Sequence, residues 1–195
     1  MKDAFQSLAN ADVESLLPLL QGGPVLQLAY HAGHPTGATG LFDVHAPVDT
    51  LWRTAGHIER FPDLIAMVDS TKPLPRTRSG QEAVRVTLRF KLAFFSVKFH
   101  FDAAVTRDES GHRMELHWLA GNVKDVVIRA EAVPVSDDRC VLLVHVGFDP
   151  LSLGWLVKAF LKHHPEIEGG VHAGAVVTLG MAAGEQAEKE FGARR

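Results

Sequence analysis

The clearest alternation of hydrophobic and polar positions lies in the middle of the chain. Every second residue is apolar from Val84 to Leu92, and the same alternation runs from Phe95 to Val105. Successive side chains of a strand point to opposite faces, so a two-residue period is typical of strands with one buried face. The two segments predict an antiparallel hairpin with one face toward solvent, and residues 112–119 continue the pattern.

Four further segments complete a predicted sheet of about seven strands. A first strand is predicted at "LFDVHAP", after the loop-like "GHPTGATG", and a short one at residues 67–74. Residues 124–135 and 139–148 supply the last two, separated by the polar turn "SDDR". The final segment, "RCVLLVHVGF", is apolar on both faces. It is therefore predicted to be central, or covered on its second face by a helix near the N-terminus.

Helices are predicted near both ends of the chain. Residues 3–20 have helical spacing, and "QGGP" ends them, which predicts a helical extension over residues 1–37 before a main domain of residues 38–195. Residues 45–70 predict two short helices. The first begins near Pro47 and Asp49 and stops at Gly56.

A long helix is predicted from Pro165 to about Phe191. Its residues Gly170, Gly174, Gly180 and Gly184 each cost about 1 kcal/mol relative to alanine. Something must compensate for this cost. Small residues let a helix lie close to a sheet, or they leave room for a bound molecule, and the sequence leaves both explanations open.

Composition and charge exclude some classes of function. The chain has 195 residues, with 46% hydrophobic and 22% charged residues, which is typical of a soluble globular protein. Its net charge of −3 provides no broad basic surface, so nucleic acid is not a predicted partner. The N-terminal residues lack the pattern of a secretory signal, and the single cysteine, Cys140, predicts a buried, reduced thiol. A cytoplasmic location is expected.

Several of these segments together resemble a known superfamily. The motifs are "APVDTLW" after a strand, then "ERFPDLI", a run of antiparallel strands containing "HWLAG", and a long final helix. Over residues 38 to about 190 the chain is similar to the START-like, or SRPBCC, helix-grip superfamily, in its polyketide cyclase/dehydrase and coenzyme-Q-binding branch. The resemblance implies an α+β fold in which a curved seven-stranded antiparallel sheet wraps around the C-terminal helix. The two short helices would close one end, with Trp52 as a core residue.

The apolar sides of the strands predict the lining of an internal pocket. If these sides face inward, the concave surface is built from Phe90, Phe99, Phe101, Met114, Leu116, Trp118, Val126 and Ile128. A pocket with this lining suits an apolar ligand. The alternative is that the same side chains fill the interior and leave no cavity.

Catalytic and metal-binding patterns are weak. The eleven histidines include the adjacent pair His163 and His164, but no helical His-x-x-x-His spacing or carboxylate partner accompanies them, so no metal and no cofactor are predicted. No nucleophile elbow or phosphate-binding glycine motif occurs. His145 and His172 are the polar residues that we include in the predicted pocket, and no catalytic residue is assigned.

Residues 151–162 predict a short amphipathic helix at the mouth of the pocket, with Trp155 beside Lys158 and Lys162. Phe94 and Phe95 occupy the tip of the central hairpin. These elements would form an apolar rim that admits the ligand or makes a transient contact with a membrane surface. Packing against the N-terminal helix is the alternative.

Three functions are compatible with these patterns. The first is binding, and transport, of a hydrophobic small molecule such as a lipid, quinone, sterol or polyketide. The second is an aromatase/cyclase-type enzyme that uses the same cavity, with one polar group moving a proton. The third is a non-catalytic partner-binding module.

Overall fold

An eight-stranded antiparallel sheet curves around a long C-terminal helix. The computed structural model describes residues 12–92, 95–164 and 167–193. The order across the sheet is β1-β2-β8-β7-β6-β5-β4-β3. The strands are β1 (Val25–His31), β2 (His34–Val44), β3 (Val68–Leu74), β4 (Glu82–Leu92), β5 (Phe95–Asp108), β6 (Arg113–Gly121), β7 (Lys124–Ser136) and β8 (Arg139–Asp149).

The helices lie at the places that the sequence predicts. They are α1 (Leu17–Leu20), α2 (Val48–Ala55), α3 (Phe61–Leu64), α4 (Trp155–His163) and α5 (Glu168–Gly192). Short 3-10 turns occupy Glu14–Leu16, Ile58–Arg60 and Pro150–Leu153. The predicted helical pair corresponds to α2 and α3. The curved sheet around a long final helix, which the resemblance implied, is confirmed. Phe94, at the predicted hairpin tip, lies outside the described residues, as do residues 1–11 of the predicted N-terminal helix, and the side chain of Phe95 is not described.

The loop predicted at residues 33–40 is wrong, and the sheet has eight strands where about seven were predicted. Residues 34–44 form β2, which pairs with β1 on one side and β8 on the other. Close packing requires a glycine within the strand, because a Cβ at Gly40 would lie 2.6 Å from Cγ1 of Val176. Of the described residues within 1–37, residues 14–20 are helical and residues 25–31 and 34–37 belong to the sheet.

Strand β8 is both interior and covered on its second face, so both expectations for it are confirmed. It lies between β2 and β7. Its residues Cys140, Leu142, Val144 and Val146 face the main core beneath α5. Val141 and Leu143 point the other way and pack with Leu41 and with the N-terminal segment, which includes Val13 and Leu20. Burial on both sides explains why this strand lacks an alternating pattern.

The glycines of α5 divide into two groups. Gly180 lies directly against the ring of Phe42 on β2, and a Cβ at Gly184 would be 3.3 Å from Val44. A Cβ at Gly170 or Gly174, in contrast, would meet no atom within 4 Å. Close packing therefore accounts for Gly180 and Gly184, whereas Gly170 and Gly174 border open space.

Alanine at Gly180 and alanine at Gly174 should have opposite effects on stability. Gly180→Ala forces a methyl group into the Phe42 ring and should lower the free energy of unfolding by about 1–3 kcal/mol. Gly174→Ala adds a methyl group in open space and should raise it by up to about 1 kcal/mol through helix propensity. Urea unfolding of both variants checks this. Equal effects would contradict the packing of α5.

Candidate functional site: an apolar cavity

A cavity of about 380 Å³ lies between the concave face of the sheet and the first half of α5. The strands and the turns beside them supply Met67, Val68, Val86, Leu88, Phe90, Phe101, Val123, Val126, Ile128, Val146, Phe148 and Leu153. The segment of α2 and α3 supplies Ile58, Phe61 and Ile65, and α5 supplies Gly170, Val171, Gly174, Ala175, Thr178 and Leu179. The interior is therefore not completely filled by its side chains.

The cavity has a closed end and a mouth. Ile58, Phe61, Val86 and Phe101 are buried and form the closed end, where the helical segment after β2 covers the sheet. Gly170 and Gly174 are exposed on α5 and border the mouth. The second helix of the predicted pair, α3, and the 3-10 turn before it therefore cover one end of the hollow, whereas α2 contributes no lining residue.

The walls offer almost no polar chemistry. Among the lining residues that the structure describes, Thr178 alone has a side-chain oxygen or nitrogen, and its hydroxyl donates to the carbonyl of Gly174 at 2.8 Å. An apolar cavity of this kind holds water poorly, because a bound water needs two to four polar partners. The site is suited to an apolar molecule.

Four of the predicted lining residues lie in the cavity wall: Phe90, Phe101, Val126 and Ile128. Phe99 stands behind the wall, where its ring meets the ring of Phe90 edge-on at a centroid distance of 5.6 Å. Met114 and Leu116 are fully buried in the core, and Trp118 is half-buried against it. These three have the predicted parity but are not among the residues that line the void.

His145 lies on the outer face of the sheet. In β8 it alternates with Val144 and Val146, which face the core, and its Nδ1 is 2.9 Å from the hydroxyl of Thr39. Successive side chains of a strand point to opposite faces, so His145 cannot share the inner face with Val144 and Val146. His145 therefore does not reach the cavity.

His172 is fully buried behind the wall. Its Nε2 lies 3.0 Å from the carbonyl oxygen of Phe148, its Nδ1 lies 3.2 Å from that of Glu168, and its ring packs on Phe148 at 4.9 Å. The imidazole thus connects α5 to the end of β8 and positions the Phe148 ring that lines the cavity. Trp155, the remaining predicted residue, is 80% exposed on α4.

Sequence reasoning missed the contributions of the helices to the wall. Ile58, Phe61 and Ile65 are three and four residues apart, a spacing that places them on one helical face and that could have indicated a shared partner. Val171, Ala175 and Leu179 on α5 repeat every fourth residue in the same way. The alternating pattern of the strands indicates neither of these two sets of helical residues.

Ionisable side chains of the central strands are paired on the outer face. Arg85 donates from Nε and Nη2 to the two carboxylate oxygens of Asp102 at 2.7 and 2.8 Å, and these hydrogen bonds hold the pKa of Asp102 below its usual range. Asp69 accepts from both Arg89 and Lys98, which lowers its pKa in the same way. These charges therefore lie on the face opposite the cavity.

A second, polar groove of about 430 Å³ is bordered by Glu59, Arg76, Glu82 and Arg107. The charge of Arg107 in this groove is already neutralised, because its Nη2 donates to both carboxylate oxygens of Glu59 at 2.7 and 2.8 Å.

In the described residues, no group of three or more His, Cys, Asp or Glu side chains could hold a metal ion. The described helices include none with the length and apolar character needed to span a bilayer.

Comparison with known proteins agrees with this architecture. Residues 44–164 match the family described as polyketide cyclase / dehydrase and lipid transport. The chain belongs to this family. No curated protein matches the sequence.

Solved structures of similar fold include members of the same superfamily. One is the Zhui aromatase/cyclase from Streptomyces sp. R1128, with 14% identity and a TM-score of 0.54 over 87% of this chain and 96% of that one. Another is a START superfamily protein from Mycobacterium smegmatis, with 15% identity and a TM-score of 0.56 over 80% and 97%. The di-domain ARO/CYC StfQ from the steffimycin biosynthetic pathway has 16% identity and a TM-score of 0.57, over 80% and 46%. At these identities the likeness establishes the START-like fold.

Cys140 should be inert in the folded protein. Burial, together with the nearby carboxylates of Asp43 and Glu188, raises the pKa of its thiol to about 12, and Sγ donates to the carbonyl of Ala46 at 3.2 Å. At pH 8 roughly one thiol in ten thousand would be ionised. An Ellman assay should detect no thiol in the native state and one per chain in urea. Native labelling at the unfolded rate would contradict this placement.

Proposed function

We propose that the protein binds and carries a small hydrophobic molecule in the cavity between the sheet and α5. The observation that supports this is a void of about 380 Å³ whose described walls contain one side-chain hydroxyl and no ionisable group. Molecules of this kind partition into bilayers, so the membrane contact predicted for residues 151–162 belongs to the same function.

The volume limits the size of the ligand. At about 30 Å³ for each water-sized group, the cavity holds roughly a dozen groups. Such a volume suits a compact aromatic molecule, such as a quinone ring or an aromatic polyketide fragment, or a medium-length acyl chain. A sterol or a complete lipid would extend through the mouth beside Gly170 and Gly174.

Burial of apolar surface is sufficient to bind such a ligand. Each buried methylene group contributes about 0.8 kcal/mol, which is about a fourfold change in the dissociation constant. A cavity that is already formed spends little of this free energy on rearrangement of the protein.

The two alternative functions receive less support. A cyclase needs a group that transfers a proton at the reacting atoms, and the described lining residues offer only the Thr178 hydroxyl, which is already engaged by Gly174. The aromatase/cyclase relatives share the fold at 14–16% identity, which does not transfer their activity. A partner-binding module would not need an internal void.

A series of straight-chain alcohols should reveal the size of the cavity. The dissociation constant should fall about fourfold for each added methylene group, because each one leaves water for an apolar wall. The gain should stop once the cavity is full, at on the order of a dozen non-hydrogen atoms. Displacement of the fluorescent probe N-phenyl-1-naphthylamine measures this. An affinity independent of chain length would contradict an apolar site.

Leucine at Gly174 should block the cavity without unfolding the helix. Gly174 lines the cavity and a Cβ there meets no atom within 4 Å, so a leucine fits without a clash, narrows the mouth and should weaken binding of the probe at least about tenfold. Gly192→Leu is the matched control, because Gly192 also borders open space but lies at the far end of α5. Equal binding by both variants would exclude this cavity as the site.

A further inference from the structure

The segment that precedes α5 exposes large apolar side chains. Trp155 is 80% exposed, Phe160 50% and Leu151 43%. One exposed apolar residue is ordinary in a soluble protein. Three within ten residues concentrate exposed apolar surface in one region, as occurs where a protein contacts a partner or a membrane.

Helix α4 lies on the surface with little of it buried. Among its described side chains, Leu161 is the one that is buried. The helix begins after Gly154, whose φ of +104° belongs to glycine and turns the chain sharply away from the preceding 3-10 turn. Trp155, Lys158 and Lys162 are three and four residues apart, so they share one side of the helix.

The same segment is cationic in an acidic protein. Residues 150–165 contain Lys158, Lys162 and two histidines but no aspartate or glutamate, although the whole chain has a net charge of −3. Within the described residues neither lysine makes an ion pair. Lysines beside an exposed tryptophan are complementary to the anionic headgroups and apolar interior of a bilayer surface.

The patch lies next to the mouth of the cavity. Leu153, just before α4, lines the cavity, and Gly170 and Val171, just after it in the chain, line it as well. The chain leaves the cavity wall, forms α4 and returns to the wall. A surface that contacts α4 would therefore lie close to the entrance.

We propose that Leu151, Trp155, Lys158, Phe160 and Lys162, the α4 rim, dock the protein on an anionic bilayer so that its ligand passes between the lipid and the cavity. The proposal rests on the proposed function. The nine residues of α4 are about 14 Å long, which is too short to cross a bilayer but long enough to lie in its interface. Pairing with a second copy is a poorer fit, because a twofold contact brings the same lysines of both copies together.

Vesicle flotation tests the docking. Wild-type protein should partition at least about tenfold more strongly into phosphatidylcholine vesicles that contain phosphatidylglycerol than into phosphatidylcholine alone. Trp155→Asp/Phe160→Asp and Lys158→Glu/Lys162→Glu should each lose at least about tenfold of this partitioning. The matched controls are Tyr30→Asp, at an exposed aromatic residue on β1, and Lys72→Glu/Lys189→Glu, and they should partition as wild type does.

Equal partitioning by the wild type and both rim variants would overturn the proposal. A second result would also overturn it: the wild type is a dimer, Trp155→Asp/Phe160→Asp converts it to monomers, and neither the wild type nor any variant binds vesicles. A second copy of the chain would then cover the rim. Vesicle-free binding of N-phenyl-1-naphthylamine separates the two proposals. The rim variants should bind the probe as wild type does, and Gly174→Leu should dock on vesicles but bind little probe.

Discussion

The contact between Gly180 of α5 and the ring of Phe42 on β2 determines how the C-terminal helix sits on the sheet. Gly184 against Val44 and Val176 against Gly40 continue this close approach. A glycine in a helix costs about 1 kcal/mol, and the packing of its neighbours compensates for that cost. Because the helix is held tightly at these positions, its first half can stand over the strands without filling the space between them. The void is a consequence of that geometry.

The separation of charge and apolar surface follows from strand alternation. One face of the central strands carries ion pairs such as Arg85 with Asp102, and the other face carries the cavity wall. Moving an ionised group into such an interior would cost several kcal/mol, so the site favours neutral, apolar molecules over charged ones. The α4 rim, outside the sheet, brings exposed Trp155 together with lysines.

Much of the sheet could be predicted because its central strands have one buried and one exposed face, so that apolar and polar residues alternate regularly along them. The second half of β2 was predicted, but residues 34–40 were missed because packing against α5 requires small residues there, and glycine and threonine are also typical of loops. The alternation correctly placed Met114 and Leu116 on the inner face of the sheet. Alternation does not show, however, at which point along a strand the helix is far enough from the sheet to leave a cavity. His145 could not be assigned to a face from its neighbours, because β8 is apolar on both faces. The four-residue repeat of Val171, Ala175 and Leu179 indicates that they share a face of α5, but whether that face borders a void depends on how deeply the helix packs.

A crystal structure of the delipidated protein under xenon pressure tests the central claim most directly. Xenon enters dry apolar cavities and avoids filled or hydrated ones. Ordered xenon should appear between α5 and the sheet, in contact with Phe61, Val86, Phe101 and Leu179. Side chains closed over that space, with no xenon bound or with ordered water in its place, would contradict it.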